Sequence, residues 1–239
     1  MEGTDFIFSG SVNRGKILEM EMTGKIRLVV WDMDGVLTEH PSSWKYLHER
    51  IGVDNSVNRN SWISGKISYR EFIQKDIQLW LDKAGRFTKQ EAMEMLGQIR
   101  LRSNIIPAIE ELRKHNIKSV IVSGGVSWLA DLINNEKMFE MVYANEILTD
   151  HAGNIIPDGK PNVLPDRKDL IISEVQELLG IQKEQSVSVG DSPFDISMFR
   201  QTGIRIAYNP LDKSIADAAD FVITSNDLYS VVERILALS

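Results

Sequence analysis

Asp32 and Asp34 stand two positions apart at the end of an apolar run, Leu28-Val29-Val30-Trp31, and Gly35 follows them. Three more segments place reactive side chains behind similar runs or at a helical stretch. Val120-Ile121-Val122 leads into Ser123-Gly124-Gly125, Lys168 lies in Asp166-Arg167-Lys168-Asp169-Leu170, and Val187-Ser188-Val189-Gly190 leads into Asp191, with Asp195 close behind. These are the side chains phosphoryl transfer uses, since its catalysis is mostly positioning and charge neutralisation. An aspartate can take the phosphoryl group as an acyl phosphate, and a second carboxyl can protonate the leaving oxygen. Carboxylates with substrate phosphate suit a hard cation such as Mg2+, lysine adds a point charge, and a Ser-Gly-Gly turn offers a hydroxyl and open N–H groups to an anion. Each feature taken alone has a plainer reading. Asp-x-Asp-Gly is equally a turn, Ser-Gly-Gly a loop, a lone lysine a solvated charge, and Gly-Asp-Ser a helix start capped by Asp191 or Ser192. The joint order and the strand contexts carry the chemistry.

The elements that must position these groups alternate. Strands are expected over Ile26–Trp31, Lys118–Val122, Met141–Ala144, Ser186–Val189, Ile204–Tyr208 and Phe221–Ile223. Helices are expected over Ile105–His115, Ser127–Asn134, Arg167–Leu179 with Gly180 as its cap, Phe194–Gln201 and Leu228–Leu238. Glu146 to Asp158 reads as a hairpin turning at Gly153-Asn154. Such alternation implies an α/β fold, a doubly wound, Rossmann-like parallel sheet, with the reactive residues at its strand ends. Residues 41–100 break the pattern. Helical spacing over Trp44–Ile51, Tyr69–Leu81 and Lys89–Ile99, punctuated by Gly52, Gly65 and Gly85, indicates a small helical insert. Its Trp44, Phe72, Trp80 and Met93 read as the insert's own core, while Trp62, in a less regular stretch, reads as more exposed.

The four segments, in this order, resemble the motifs of the haloacid dehalogenase-like phosphohydrolases over about residues 26–225. The resemblance implies a division into an extension without assigned function (1–24), an α/β core (25–40 and 101–239) and a helical cap (41–100) that covers the site and helps choose the substrate. It implies Asp32 as nucleophile, Asp34 as acid/base, Ser123 and Lys168 as phosphate-binding groups, and backbone N–H groups of Met33, Asp34 and Gly124 around the phosphoryl oxygens. It also implies Mg2+ held by Asp32, the Asp34 carbonyl and Asp191, with Asp195 in support. Lys160 competes with Lys168 for the third motif; Lys168 matches better because it starts a helical stretch. The reaction implied is hydrolysis of a small phosphomonoester through an aspartyl phosphate, with a sugar-phosphate mutase or a catalytically idle binding member as alternatives.

Within that family the chain is most similar to the phosphoserine phosphatase branch, with three departures. Pro41 replaces a substrate-gripping glutamate, although Glu39 is near. Asp76 aligns with a cap arginine, with Lys75 and Arg70 as substitutes, and Phe194 stands where the branch has asparagine. Phosphoserine as substrate therefore does not follow from the resemblance.

Composition fits a soluble enzyme. The 239 residues are 43% hydrophobic and 26% charged, enough for a sizeable core. The formal charge of −7 disfavours nucleic acid as partner, and no apolar stretch approaches the ~18 residues of a membrane span. Cysteine is absent, which excludes disulfides and a thiol nucleophile and agrees with a cytoplasmic location. The expected partner is a small phosphorylated metabolite.

Overall fold

Leu28–Trp31 (β1) alternates its side chains between two buried faces, and the whole molecule is arranged around it. In the computed structural model residues 25–239 are described; the extension expected over 1–24 lies outside them. Strands β2 (Lys118–Val126), β3 (Met141–Thr149), β4 (Ile155–Lys160), β5 (Ser186–Gly190), β6 (Ile204–Tyr208) and β7 (Phe221–Ile223) complete a seven-stranded sheet of order β4-β3-β2-β1-β5-β6-β7. All pairings are parallel except β3 with β4. The chain winds outward from β1 first through β2 and β3, then returns to β5 and winds the other way. The gap beyond the carboxyl ends of β1, β2 and β5 is thus the topological switch point, where open α/β sheets hold ligands.

Four helices precede β2's own partner helix: α1 (Ser43–Ile51), α2 (Ser56–Ile63), α3 (Tyr69–Ala84) and α4 (Lys89–Leu96). The remaining helices are α5 (Ile105–Lys114), α6 (Ser127–Ile133), α7 (Lys168–Leu179), α8 (Ile196–Gln201), α9 (Lys213–Ala218) and α10 (Tyr229–Leu236). Leu28 and Val30 join Ile172, Val175, Met198 and Ile215 from α7, α8 and α9 on one face. Val29 and Trp31 point to the other face, where the apolar cluster takes in α5, α6 and α10 and runs on into Leu47, Ile77, Trp80 and Leu96 of the first four helices. Helices α1, α3 and α4 therefore share a hydrophobic core with the sheet and do not carry a separate one, and α2 rests on it through half-buried Trp62.

Local chemistry sets their ends. Ser42 caps α1 by accepting from the Lys45 N–H, and Gly52 closes it in the left-handed region. Capping boxes Ser68/Glu71 and Thr88/Glu91 start α3 and α4. Two helices lie outside the expected set. Helix α2 has no buried residue and is rich in Ser and Asn, so it shows no periodic apolar stripe; α9 buries only Ile215 and is set by its Asp212 cap. The strand expected over Met141–Ala144 and the first arm of the hairpin are one strand, β3, which continues beyond its pairing with β2 to pair with β4. Strand β2 does not stop at Ser123. Val122 pairs with Tyr143 and Val126 with Asn145, so Ser123-Gly124-Gly125 bulges out between them.

Trp80 is fully buried, and Trp44, Phe72 and Met93 are half-buried against the core that the helices share with the sheet, not a core of the insert's own; Trp44 and Phe72 also line a cavity. Trp62 is not in an irregular exposed stretch; it sits on α2, half-buried, and lines the same cavity.

Candidate active site

The turn after β1 carries Asp32 and Asp34, the β2 bulge carries Ser123, the N-terminus of α7 carries Lys168, and the turn after β5 carries Asp191 and Asp195. All six are buried. The Lys168 ammonium lies 2.9 Å from Asp32 Oδ1 and 2.7 Å from Asp195 Oδ1. Asp195 Oδ2 accepts from the N–H groups of Asp191 and Ser192 and from the Ser192 hydroxyl, which fixes the loop behind β5. Lys160 takes no part; it is exposed and pairs with Glu146 at 2.9 Å.

Asp34 faces a different neighbour. Its Oδ2 accepts from the Ser43 N–H at 2.9 Å and from the Ser43 hydroxyl at 2.8 Å, and Ser43 Oγ in turn accepts from the Val126 N–H. The first residue of α1 thus ties the β1 turn to the end of the β2 bulge. The Ser123 hydroxyl accepts from the Gly125 N–H at 3.1 Å. The Gly124 carbonyl accepts from Trp44 Nε1 and Asn145 Nδ2, so that backbone is held from both sides.

Close approach explains the glycine after the two aspartates. A Cβ on Gly35 would sit 2.0 Å from Asp191 Oδ2, and φ there is +78°. Only glycine lets the β1 turn and the Asp191 carboxylate share this space.

Four carboxylates face one ammonium. Burial, with Asp195 adding to it and Lys168 opposing, pushes Asp32 up to about 7. Burial, then the charges of Asp195 and Asp32, hold Asp191 well above the usual carboxylate range. Burial also raises Asp34, against the two hydrogen bonds from Ser43. Lys168 moves the other way: burial would lower it, but Asp195 and Asp32 together raise it above its ordinary value and keep it charged. The donor set fits a hard divalent cation. Asp32, Asp191 and Asp195 present carboxylate oxygens within 4.8 Å of one another, and Asp191 Oδ2 is buried without a protein partner.

Above this cluster lies a cavity of about 290 Å³, reached by Asp32, Asp34, Asp191, Ser123 and Lys168 below and by α1, α2 and α3 above. The residues expected from the chain alone to recognise substrate fall outside it. Arg70 reaches Asp158 of β4 at 2.8 Å, Lys75 is exposed, and Glu39 pairs with Arg100; none of them lines the cavity, whereas Pro41 does. Asp76 does not face it either. Its carboxylate is buried within the helices and accepts from His48 Nε2, Asn55 Nδ2 and Asn58 Nδ2. Trp80 Nε1 is a donor only, so at 2.7 Å from His48 Nδ1 it leaves the imidazole proton on Nε2, facing Asp76. An Asp76→Ala variant strands three donors, and unfolding in urea should show it about 3 kcal/mol less stable than the parent. A midpoint unchanged at constant slope would contradict that.

Ser43, which bonds Asp34, and the cavity residues Asn55, Arg59 and Tyr69 carried no signal in the chain read alone. Tyr69 is buried, its hydroxyl pushed up from its ordinary pKa chiefly by burial, and it accepts from Asn145 Nδ2. The hydroxyl before Trp44, one residue into a capped helix, was the one available hint for Ser43.

Comparison with known proteins places this arrangement. A family model for haloacid dehalogenase-like hydrolases matches residues 26–203. The phosphoserine phosphatase of Methanocaldococcus jannaschii is 25% identical over 90% of this chain and all of its own length. That of Archaeoglobus fulgidus is 26% identical over 84% of this chain and 58% of its own length. A substrate-bound phosphoserine phosphatase structure superposes with a TM-score of 0.73, covering 88% of this chain and 99% of that one at 21% identity, a likeness of fold. The chain belongs to the haloacid dehalogenase-like hydrolases and is similar, along nearly all its described length, to their phosphoserine phosphatase branch.

Proposed function

We propose that this protein is a Mg2+-dependent phosphatase that hydrolyses a small phosphomonoester through an aspartyl phosphate on Asp32. The observation that carries the reading is the convergence of Asp32, Lys168 and Asp191, from three different elements, at the floor of one cavity beside a second, differently bonded carboxyl, Asp34. Asp32 Oδ attacks phosphorus, and the bond from phosphorus to the leaving alcohol oxygen breaks. Asp34 supplies the proton that oxygen needs; burial raises its pKa, as an acid at neutral pH requires. Water then attacks the phosphorus of the acyl phosphate, giving its proton to Asp34, and the Asp32–phosphorus bond breaks to restore the carboxylate. Lys168 and the Ser123 hydroxyl hold the phosphoryl oxygens, with the N–H groups of Met33, Asp34 and Gly124 beside them. Asp195 positions Lys168 and the Asp191 turn. Mg2+, held by Asp32, Asp191 and the Asp34 carbonyl, would offset the excess of carboxylates and orient the phosphate. The helices over 43–96 act as the cap.

Phosphate release from a panel of small phosphomonoesters tests this. Release is expected with Mg2+ and is lost on chelation; release unaffected by chelation would remove the metal from the reading. Saturating Mg2+ should also raise the melting temperature by about 5–10 °C, because a ligand at 100 times its Kd adds about 2.7 kcal/mol to a domain of this size. No thermal shift would argue against the carboxylate cluster as its site.

A further inference from the structure

The outer half of the cavity has a chemistry of its own. Trp62 lies nearly parallel to Phe72, with ring centroids 5.2 Å apart and 16° between planes, and to Phe194, at 6.0 Å and 24°. These three rings, with Trp44 and Tyr69, give the cavity an aromatic wall built from α1, α2, α3 and the turn after β5. The carboxylates that line the cavity are Asp32, Asp34 and Asp191, all at its floor. Both ring nitrogens of His48 are occupied by Trp80 and Asp76, and one N–H of the Asn55 amide is given to Asp76. What remains at the outer end for a polar ligand is the neutral Ser42 hydroxyl, the Asn55 amide oxygen and second N–H, and two cations. Lys45 is weakly paired, 3.6 Å from Glu49. Arg59 lies one turn from Trp62 on α2, also lines the cavity, and its guanidinium has no partner among the described residues.

An ammonium finds no counter-charge at this end, and Arg59 and Lys45 repel it. A flat apolar group finds a wall to lie on, and an acidic group finds a free guanidinium, the side chain best shaped to hold a carboxylate. The volume, near the lower end of the roughly 300–1,000 Å³ of ligand sites, admits a phosphate and a single ring.

Resting on the phosphatase reading above, we propose that the substrate is the phosphate ester of an alcohol that carries an aromatic ring with an acidic substituent, the ring lying against Trp62 and Phe72 and the acid meeting Arg59. The test compares 3-carboxybenzyl phosphate, benzyl phosphate, phosphoserine and phosphocholine, all esters of primary alcohols, so that ring recognition is not confused with the better leaving group of an aryl ester. In kcat/KM, benzyl phosphate should exceed phosphoserine by about tenfold or more, since a ring removed from water outweighs an unmatched zwitterion. The carboxybenzyl ester should gain about a further tenfold from its charge-assisted pairing. In Arg59→Gln the ratio of carboxybenzyl to benzyl should fall toward one, and in Trp62→Ala both benzyl esters should lose ground to phosphoserine. Phosphoserine as the best substrate would overturn the proposal, as would phosphocholine, which would make the wall a cage for a cation. Calorimetry of the unaltered protein with the uncleavable phosphonate analogues of the same alcohols separates the two levels. Preferential binding of the carboxybenzyl analogue without turnover of any ester would retain the proposed ligand and sink the hydrolase. Turnover without that preference would retain the hydrolase and sink the proposed ligand, and neither binding nor turnover would sink both.

Discussion

An Asp32→Asn variant should fold normally and release phosphate at least about 10⁴-fold more slowly than the parent, the scale on which removing a nucleophile acts. Asparagine nearly matches aspartate in shape, so the 2.7 Å bond from the Met33 N–H to Oδ1 and the contact with Lys168 keep an oxygen acceptor. What disappears is the proposed nucleophile and one negative charge. The charge makes a second, opposite expectation. Asp32 is pushed up to about 7 by burial and by Asp195, which means its ionised form is disfavoured in the folded protein. Neutralising it should leave the metal-free protein as stable as the parent or more so, while shrinking the stabilisation that Mg2+ gives. Melting curves with and without Mg2+ read both. A variant that lost activity because it lost structure would melt lower in both conditions. One that kept more than about a hundredth of the parental rate would exclude Asp32 as the proposed nucleophile.

How far the chain could be read alone follows from burial. Strands β1, β5 and β6 were legible because a strand buried on both faces reads as a short Val/Ile-rich run bounded by turn residues, and β7 because Phe221-Val222-Ile223 is such a run although it lies part-exposed at the sheet edge. Of the candidate reactive groups, the aspartates and Ser123 stood out because they follow such a run, and Lys168 because it opens a helical stretch. The β2 bulge was not, since Ser123-Gly124-Gly125 looks like the end of a strand and only pairing with Tyr143 and Asn145 shows that the strand resumes. Helix α2 was not, because it buries no side chain and contributes to the cavity through Trp62 and Arg59 instead. The role of Asp76 was out of reach for another reason: its partners His48, Asn55 and Asn58 come from other elements, and no local pattern shows a buried carboxylate satisfied at that range. Aligned by position it resembled a substrate contact; placed in space it anchors the helices that carry the cavity's outer wall.

Lys168→Met is expected to act on both rate and stability, and the two effects separate the roles of one ammonium. The methionine chain fills much of the same volume without the charge. Asp195 Oδ1 loses its 2.7 Å partner and Asp32 Oδ1 its 2.9 Å partner, in a place where both are buried. Breaking a buried pair from one side costs about 3 kcal/mol or more, because the stranded carboxylates have no water to turn to. The metal-free variant should therefore unfold at lower urea, and it should recover part of the loss when Mg2+ is added, since a divalent cation at Asp32 and Asp191 takes over some of the neutralisation. Phosphate release should fall by about 10³-fold even at saturating Mg2+, the order of effect seen when one preorganised donor to a developing oxyanion is removed. If Mg2+ restored the rate together with the stability, Lys168 would be a structural counter-ion and the phosphoryl oxygens would be held by Ser123 and the backbone alone. Lys160→Met supplies the comparison: with its ammonium exposed on Glu146, it should change neither quantity measurably.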